Sequence, residues 1–184
     1  MVDIGLGEDL SFPEALIHRY GCRVSGFDPT PKSIAYVRSR GLPRLALFEV
    51  GVAAKAGEAA FYLPNDEAHV SGSLFDAPHV GQRRLLLPFV SIAEVPKLIG
   101  SEVIDLLKMD VEGAEFDIIQ SEAFPATVRG TRQICVEFHH RWPGFGKQDT
   151  ERAVARLAEL DYSVAWVSPS NQEVLFVRDG AFEI

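Results

Sequence analysis

The sequence predicts an α/β fold: a doubly wound, mostly parallel sheet, covered by helices on both faces and closed by a C-terminal antiparallel hairpin. Three observations predict it. Apolar, β-branched-rich runs alternate with helical periodicity along most of the chain. Gly5 and Gly7 follow the first such run and precede the first helix, where open α/β sheets bind their ligands. The last two runs, 163–167 and 174–177, flank Ser168-Pro169-Ser170-Asn171-Gln172, a turn-rich link suited to a hairpin.

The elements follow in order. A short strand covers 2–4. Ser11 is placed to cap the first helix, with Glu14 as its capping-box partner and Pro13 in the first turn. Leu16, Ile17 and Tyr20 give that helix its buried face and Gly21 its end. The second strand covers 23–27. Thr30-Pro31 opens a helix with Ile34 and Val37 inward, closed near Gly41. The third strand covers 45–50. Two extended pieces, 59–63 and 85–90, surround a polar loop at 64–78. Ser91 caps a short helix that Pro96 interrupts. Strands at 103–109 and 133–138 flank a helix at 114–121. A helix at 149–160 puts Ala153, Val154, Leu157 and Leu160 on one face. No repeat or linker divides the chain, and its 184 residues suit one domain over 1–184.

Composition narrows the function. Hydrophobic residues make up 47% and charged residues 24%, which excludes a disordered chain. The net charge of −8 disfavours a nucleic-acid partner. Cys22 and Cys135 are too few for a disulfide framework or a four-cysteine zinc site, and point to a reducing, cytoplasmic setting. The longest apolar stretch, 85–93, contains Pro88 and Ser91 and falls far short of a transmembrane segment. The first residues carry no signal-peptide pattern.

Two groups of residues carry chemistry. The first is Asp3-Ile4-Gly5-Leu6-Gly7 with Asp28 at the end of the second strand. Glycines there let the backbone approach a ligand, and an acid at that strand end is placed to take ribose hydroxyls. A dinucleotide fingerprint needs a third glycine where Leu10 stands. Glu8 and Asp9 also repel a pyrophosphate and suit a cationic ligand, so a sulfonium nucleoside fits better than a nicotinamide cofactor. The simpler alternative has the glycines only turning the chain and Asp28 capping the turn before Pro29.

The second group is Asp105-Leu-Leu-Lys108-Met-Asp110-Val-Glu112-Gly113-Ala-Glu115, with Glu137-Phe138-His139-His140 ending the next strand. Neighbouring strand ends about 4.8 Å apart bring Asp110, Glu112, Glu137 and a histidine together. Such a set binds a divalent cation, acts as a base, or orients a hydroxyl. The simpler alternative, stabilisation of a helix N-terminus, explains Glu115 well and Glu137 and the histidines poorly. Elsewhere, 144–147 resembles a phosphate loop, but Arg141 and Gln148 break the pattern. His18, His69 and His79 read as solvated histidines, and Trp142 and Trp166 as core or rim residues.

Through Asp3–Gly7, Phe27-Asp28-Pro29-Thr30-Pro31, the 105–115 passage and Val136-Glu137, the chain resembles the FkbM family of S-adenosylmethionine-dependent methyltransferases. The resemblance implies a seven-stranded sheet ordered 3-2-1-4-5-7-6 and O-methylation of a small-molecule, sugar or lipid-like hydroxyl. By position, Asp3, Gly5 and Gly7 would back the cofactor's methionine part, and Asp28 with Pro29 would take the ribose. Gly51 would lie near adenine, Ser73 would face the cofactor, and Asp110 would face cofactor or acceptor. Asp110, Glu137 and His139 are the expected catalytic residues. Asp110, Glu112 and Glu137 are the candidate ligands for Mg2+, a second cofactor that some small-molecule O-methyltransferases use. Family members normally carry chain before the first strand, whereas Met1 opens it here, so a minimal form or a missing upstream segment is expected. A nicotinamide-dependent oxidoreductase and a catalytically inactive nucleoside-binding module are the alternatives. Acceptor specificity is expected in 64–84 and 139–148, and the oligomeric state is open.

Overall fold

A computed structural model of the chain describes residues 1–64, 72–75 and 80–181. His69, His79 and most of the expected 64–78 loop lie outside the described residues. The main sheet contains β1 (Val2–Ile4), β2 (Val24–Phe27), β3 (Leu45–Phe48), β7 (Leu107–Met109), β8 (Gln133–Glu137), β9 (Tyr162–Val167) and β10 (Glu173–Arg178). Their order is β3-β2-β1-β7-β8-β10-β9. This is the expected doubly wound arrangement. Every pairing from β3 to β8 is parallel, and β10 runs antiparallel to both β8 and β9. All three residues of β1 are buried, as a central strand covered on both faces requires.

A second, three-stranded sheet is ordered β4-β6-β5, from β4 (Gly51–Ala53), β5 (Gly57–Pro64) and β6 (Val80–Ser91). The sequence predicts extended pieces where β5 and β6 lie, but neither their antiparallel pairing nor β4. Pro88 is tolerated inside β6 because β4 pairs only from Phe89 onward. The helices are α1 (Ser11–Tyr20), α2 (Pro31–Arg40), α3 (Val95–Ile99), α4 (Ala114–Gln120), α5 (Phe124–Val128) and α6 (Lys147–Ala158). Ile4, Phe27, Met109, Val136 and Phe138 meet Ile118 and Leu157 in the largest core cluster.

Several local expectations are corrected. Ser11 is the first residue of α1 and Leu10 stands at the N-cap without a side-chain cap, while the Asp9 carboxylate before it accepts the Ser11 N–H at 2.8 Å. Glu14 pairs with Arg40 at 3.1 Å instead of closing a capping box. Tyr20 ends α1 in solvent at 67% exposure, its hydroxyl accepting from Arg19 Nε. The strand expected over 103–109 shrinks to β7, because β1 pairs with it only from Val2 against Leu107. Pro96 does not interrupt a helix. It sits in the first turn of α3, where its missing N–H costs nothing. Ser91 does cap, but a 3-10 turn, with Glu94 completing the capping box. The short helix α5 was not expected.

Candidate active site

The parallel register sets the site. Asp3 of β1 lies beside Lys108 of β7, and Met109 beside Val136 of β8. The three strands end at one edge, and the loops that leave them line a cavity of about 560 Å³. Its walls include Asp3, Gly5, Gly7, Asp28, Gly51 and Asp110, together with Pro29, Glu112 and Glu137. That volume lies within the range of small-molecule and cofactor sites.

Gly5 turns the chain off β1 with φ +87° and donates its N–H to the Phe27 carbonyl at 2.9 Å. Asp28 answers from the end of β2. One carboxylate oxygen accepts the Gly7 N–H at 2.9 Å. The other accepts the Thr30 N–H at 2.9 Å and the Thr30 hydroxyl at 2.5 Å. Asp28 therefore binds the glycine loop to the start of α2, and three of a carboxylate's roughly four acceptor positions are occupied. The turn before Pro29 and the cavity wall are both its work.

Lys108 is a residue the sequence reading passed over. Its Nζ lies 3.5 Å from Asp3 Oδ1 and 3.5 Å from Asp110 Oδ2. The signal was present: Lys108 and Asp110 share a strand face at i and i+2. Burial raises the Asp3 carboxyl to about 6, with Lys108 opposing the rise. Burial also works against the Lys108 charge, but Asp3 and Asp110 outweigh it and hold its pKa above the ordinary value. Asp3 thus binds its proton more tightly folded than unfolded, so its contribution to stability falls as pH rises from about 3.8 through about 6. Asp3→Asn is expected to be about 1–2 kcal/mol more stable than the wild type at pH 8, with the difference gone near pH 4. Urea unfolding at the two pH values checks this.

On the far side, the chain leaves β7 through Asp110, then Glu112 at φ +54° and Gly113 at φ +102°. A Cβ on Gly113 would meet the Phe145 ring at 2.7 Å, so glycine is required there. Glu115 follows in α4 and is fully buried. One of its oxygens accepts the His139 backbone N–H at 2.8 Å and lies 3.1 Å from His139 Nδ1. The other accepts the Gly113 N–H at 2.9 Å. Glu115 thus does more than stabilise its helix: it joins the loop after β7 to the loop after β8.

His139 Nε2 points the other way. It lies 3.2 Å from Glu112 Oε2, 3.8 Å from Asp110 Oδ1 and 4.0 Å from Glu137 Oε1. Burial opposes its charge, but the hydrogen bonds and charges of Glu112 and Glu115 prevail and push it up to about 10. Burial and the Asp110 charge raise Glu137 to about 7, with His139 opposing. Asp110 and Glu137 face the cavity, whereas His139 lies behind its wall against Trp142. Ser73 also lies behind the wall. It is fully buried and its hydroxyl donates to the Glu112 carbonyl at 2.7 Å, so its side chain braces that loop. The expected trio Asp110, Glu112 and Glu137 is not the set whose donor atoms converge. Among the described residues, Asp110, Glu112 and His139 place theirs within 4.8 Å of one another.

The FkbM methyltransferase domain description matches residues 3–164. The chain belongs to the FkbM methyltransferase family. Within curated proteins it is 26% identical over 162 residues to a human protein named methyltransferase-like protein 24, covering 85% of this chain and 37% of that one. It is 30% identical over 159 residues to the 2-O-methyltransferase NoeI of Sinorhizobium fredii, covering 75% of this chain and 62% of NoeI. The chain thus spans less than two thirds of the length of either relative. A crystal structure of the methyltransferase FkbM from Methylobacillus flagellatus KT superposes with a TM-score of 0.58 at 15% identity. That likeness covers 96% of this chain and 42% of the other, and it shows the shared fold. Family membership sets aside the nicotinamide-dependent alternative. Among the described residues, no helix is long and apolar enough to cross a membrane.

Proposed function

We propose that this FkbM domain transfers a methyl group from S-adenosylmethionine to a hydroxyl of a small-molecule, sugar or lipid-like acceptor. One observation carries the reading: a single cavity joins the Gly5–Gly7 loop and Asp28 at one end to Asp110 and Glu137 at the other. The printed function of NoeI, a 2-O-methyltransferase, supports oxygen as the accepting atom. When bound, S-adenosylmethionine supplies an electrophilic methyl on a positive sulfonium.

The residues present fit such a molecule. Gly5 and Gly7 leave the loop backbone bare beside the cavity, and Asp28, with one acceptor position to spare, suits a ribose hydroxyl. Asp3, Glu8, Asp9 and Asp110 give the lining an acidic character that favours a cationic ligand over a pyrophosphate. Asp110 and Glu137 stand at the strand ends, where an acceptor hydroxyl would be oriented and its proton removed. A positioned base contributes roughly 10²–10⁴-fold, and correct alignment of the displacement supplies much of the remainder. His139, behind the wall, reaches these carboxylates through Nε2 and is not itself the base.

Calorimetric titration with S-adenosylmethionine and S-adenosylhomocysteine tests the reading. Micromolar binding is expected, weakened about tenfold or more in Asp28→Asn. With an acceptor panel, Asp110→Asn and Glu137→Gln are expected to lose about 10²–10⁴ in turnover while cofactor affinity changes little. No binding by folded protein would refute the proposal. Binding without transfer to any acceptor would favour the inactive nucleoside-binding module.

A further inference from the structure

We infer that Asp110, Glu112 and His139 form a divalent-cation site of the manganese class, with Glu115 as the outer residue that aims the imidazole. The consequence for an acceptor hydroxyl rests on the methyltransferase reading, whereas cation binding itself does not.

The donor spacing is the first argument. An ion with ligands at about 2.1 Å places adjacent donors about 3.0 Å apart in an octahedron and about 3.4 Å apart in a tetrahedron. His139 Nε2 lies 3.2 Å from Glu112 Oε2 and 3.8 Å from Asp110 Oδ1. Small rotations of two carboxylates complete the set. Lys108 engages Asp110 through Oδ2, so Oδ1 is the oxygen that turns toward the imidazole.

The second argument comes from outside the donor set. A metal-bound imidazole donates its other ring N–H to a carboxylate or carbonyl, which fixes its tautomer and direction. Glu115 is placed for that role, 3.1 Å from His139 Nδ1, and it also accepts the His139 backbone N–H. Glu115 has zero exposure, and its second oxygen accepts the Gly113 N–H, so it fixes the imidazole and the loop that carries Glu112 together. The charge balance is the third argument. Asp110, Glu112, Glu115 and Glu137 all face His139 within 4.0 Å, and the nearby Lys108 is shared with Asp3. The local sum is negative, and a divalent cation on the cavity side balances it.

The imidazole decides which cation. Magnesium prefers carboxylate and water oxygens in a near-ideal octahedron, whereas an imidazole donor suits first-row transition ions. Asp110 and Glu112 also line the cavity, so coordination positions left over face the acceptor end. An alcohol bound there would have its proton made more acidic, with Glu137 adjacent to receive it.

Chelator-treated full chain is titrated with Mn2+ and free Mn2+ is read by electron paramagnetic resonance. One ion per chain is expected at micromolar affinity, with Mg2+ displacing it only at about 100-fold or greater excess. Glu112→Gln is expected to lose 30-fold or more, and Glu115→Gln about 10–100-fold. His139→Gln should abolish binding, and Glu112→Gln, at a partly exposed position, decides the matter if that variant does not fold. The surface change Asp105→Asn should leave Mn2+ affinity within twofold. Absence of stoichiometric binding overturns the site. Mn2+ affinity indifferent to Glu112→Gln overturns it also, and equal competition by Mg2+ overturns the role of the imidazole. Titration with S-adenosylmethionine in chelator separately tests the methyltransferase reading, so the two failures are distinct.

Discussion

Gly5→Ala is expected to destabilise the protein by about 3–5 kcal/mol and to abolish binding of S-adenosylmethionine. Two effects act at once. Gly5 has φ +87°, a backbone conformation that costs an L residue of order 1–3 kcal/mol. A Cβ there would also stand 1.8 Å from the Asp110 carbonyl oxygen and 2.9 Å from its carbon. The obstacle is backbone, held in place by the Asp110 N–H bond to the Ile4 carbonyl at 3.0 Å, so it cannot swing aside as a side chain could. Relief requires β1 and β7 to separate at the centre of the sheet. Gly21→Ala separates the two effects. Gly21 has φ +62° but nothing within 4 Å of its would-be Cβ, so its cost should stay near 1 kcal/mol. Urea unfolding of the two variants measures the difference. A Gly5→Ala protein no weaker than Gly21→Ala would show that the strands do not approach as closely as described.

The same close approach explains what could be read from the sequence. Gly5, Gly7 and Asp28 were legible because a tight turn after a strand admits few residue types, and because open α/β sheets always meet their ligands at that edge. The main sheet was legible because short strands rich in apolar and β-branched residues alternate with helical periodicity, with Val2 and Ile4 in β1, Val24 and Phe27 in β2, and Ile134 and Val136 in β8. The second sheet was only half legible. Gly51–Ala53 is three residues long, and its place depends on Gly51 lying flat against the Phe89 ring, a contact across 38 positions of sequence with no local signature. Lys108 was written in the motif, but its partnership with Asp3 depends on strand register. Glu115 was misread for a different reason. At the start of a helix an acid has an ordinary explanation, and only burial shows that explanation to be insufficient.

Glu115→Leu is therefore expected to cost about 3–5 kcal/mol, although leucine suits a buried helix position by shape and polarity. In an apolar pocket this change would be neutral or favourable, since removing a buried charge removes its desolvation penalty. Here the carboxylate answers three donors: the Gly113 N–H, the His139 N–H and His139 Nδ1. Leucine would leave all three unsatisfied at a site that water does not reach, and each orphaned group costs about 1–3 kcal/mol. Glu115→Gln keeps one acceptor oxygen, for the His139 donors, and sets an NH2 against the Gly113 N–H, so about 1–3 kcal/mol is expected, less than for leucine. Urea unfolding gives the ranking, and amide exchange at Gly113 and His139 locates it: both amides should lose protection in Glu115→Leu, while those of β2 keep theirs. A leucine variant as stable as the wild type would mean that the loops after β7 and β8 find other partners. The candidate active site would then be assembled by the ligand rather than by the fold, because Glu115 is the side chain that holds backbone amides of both loops, at Gly113 and at His139.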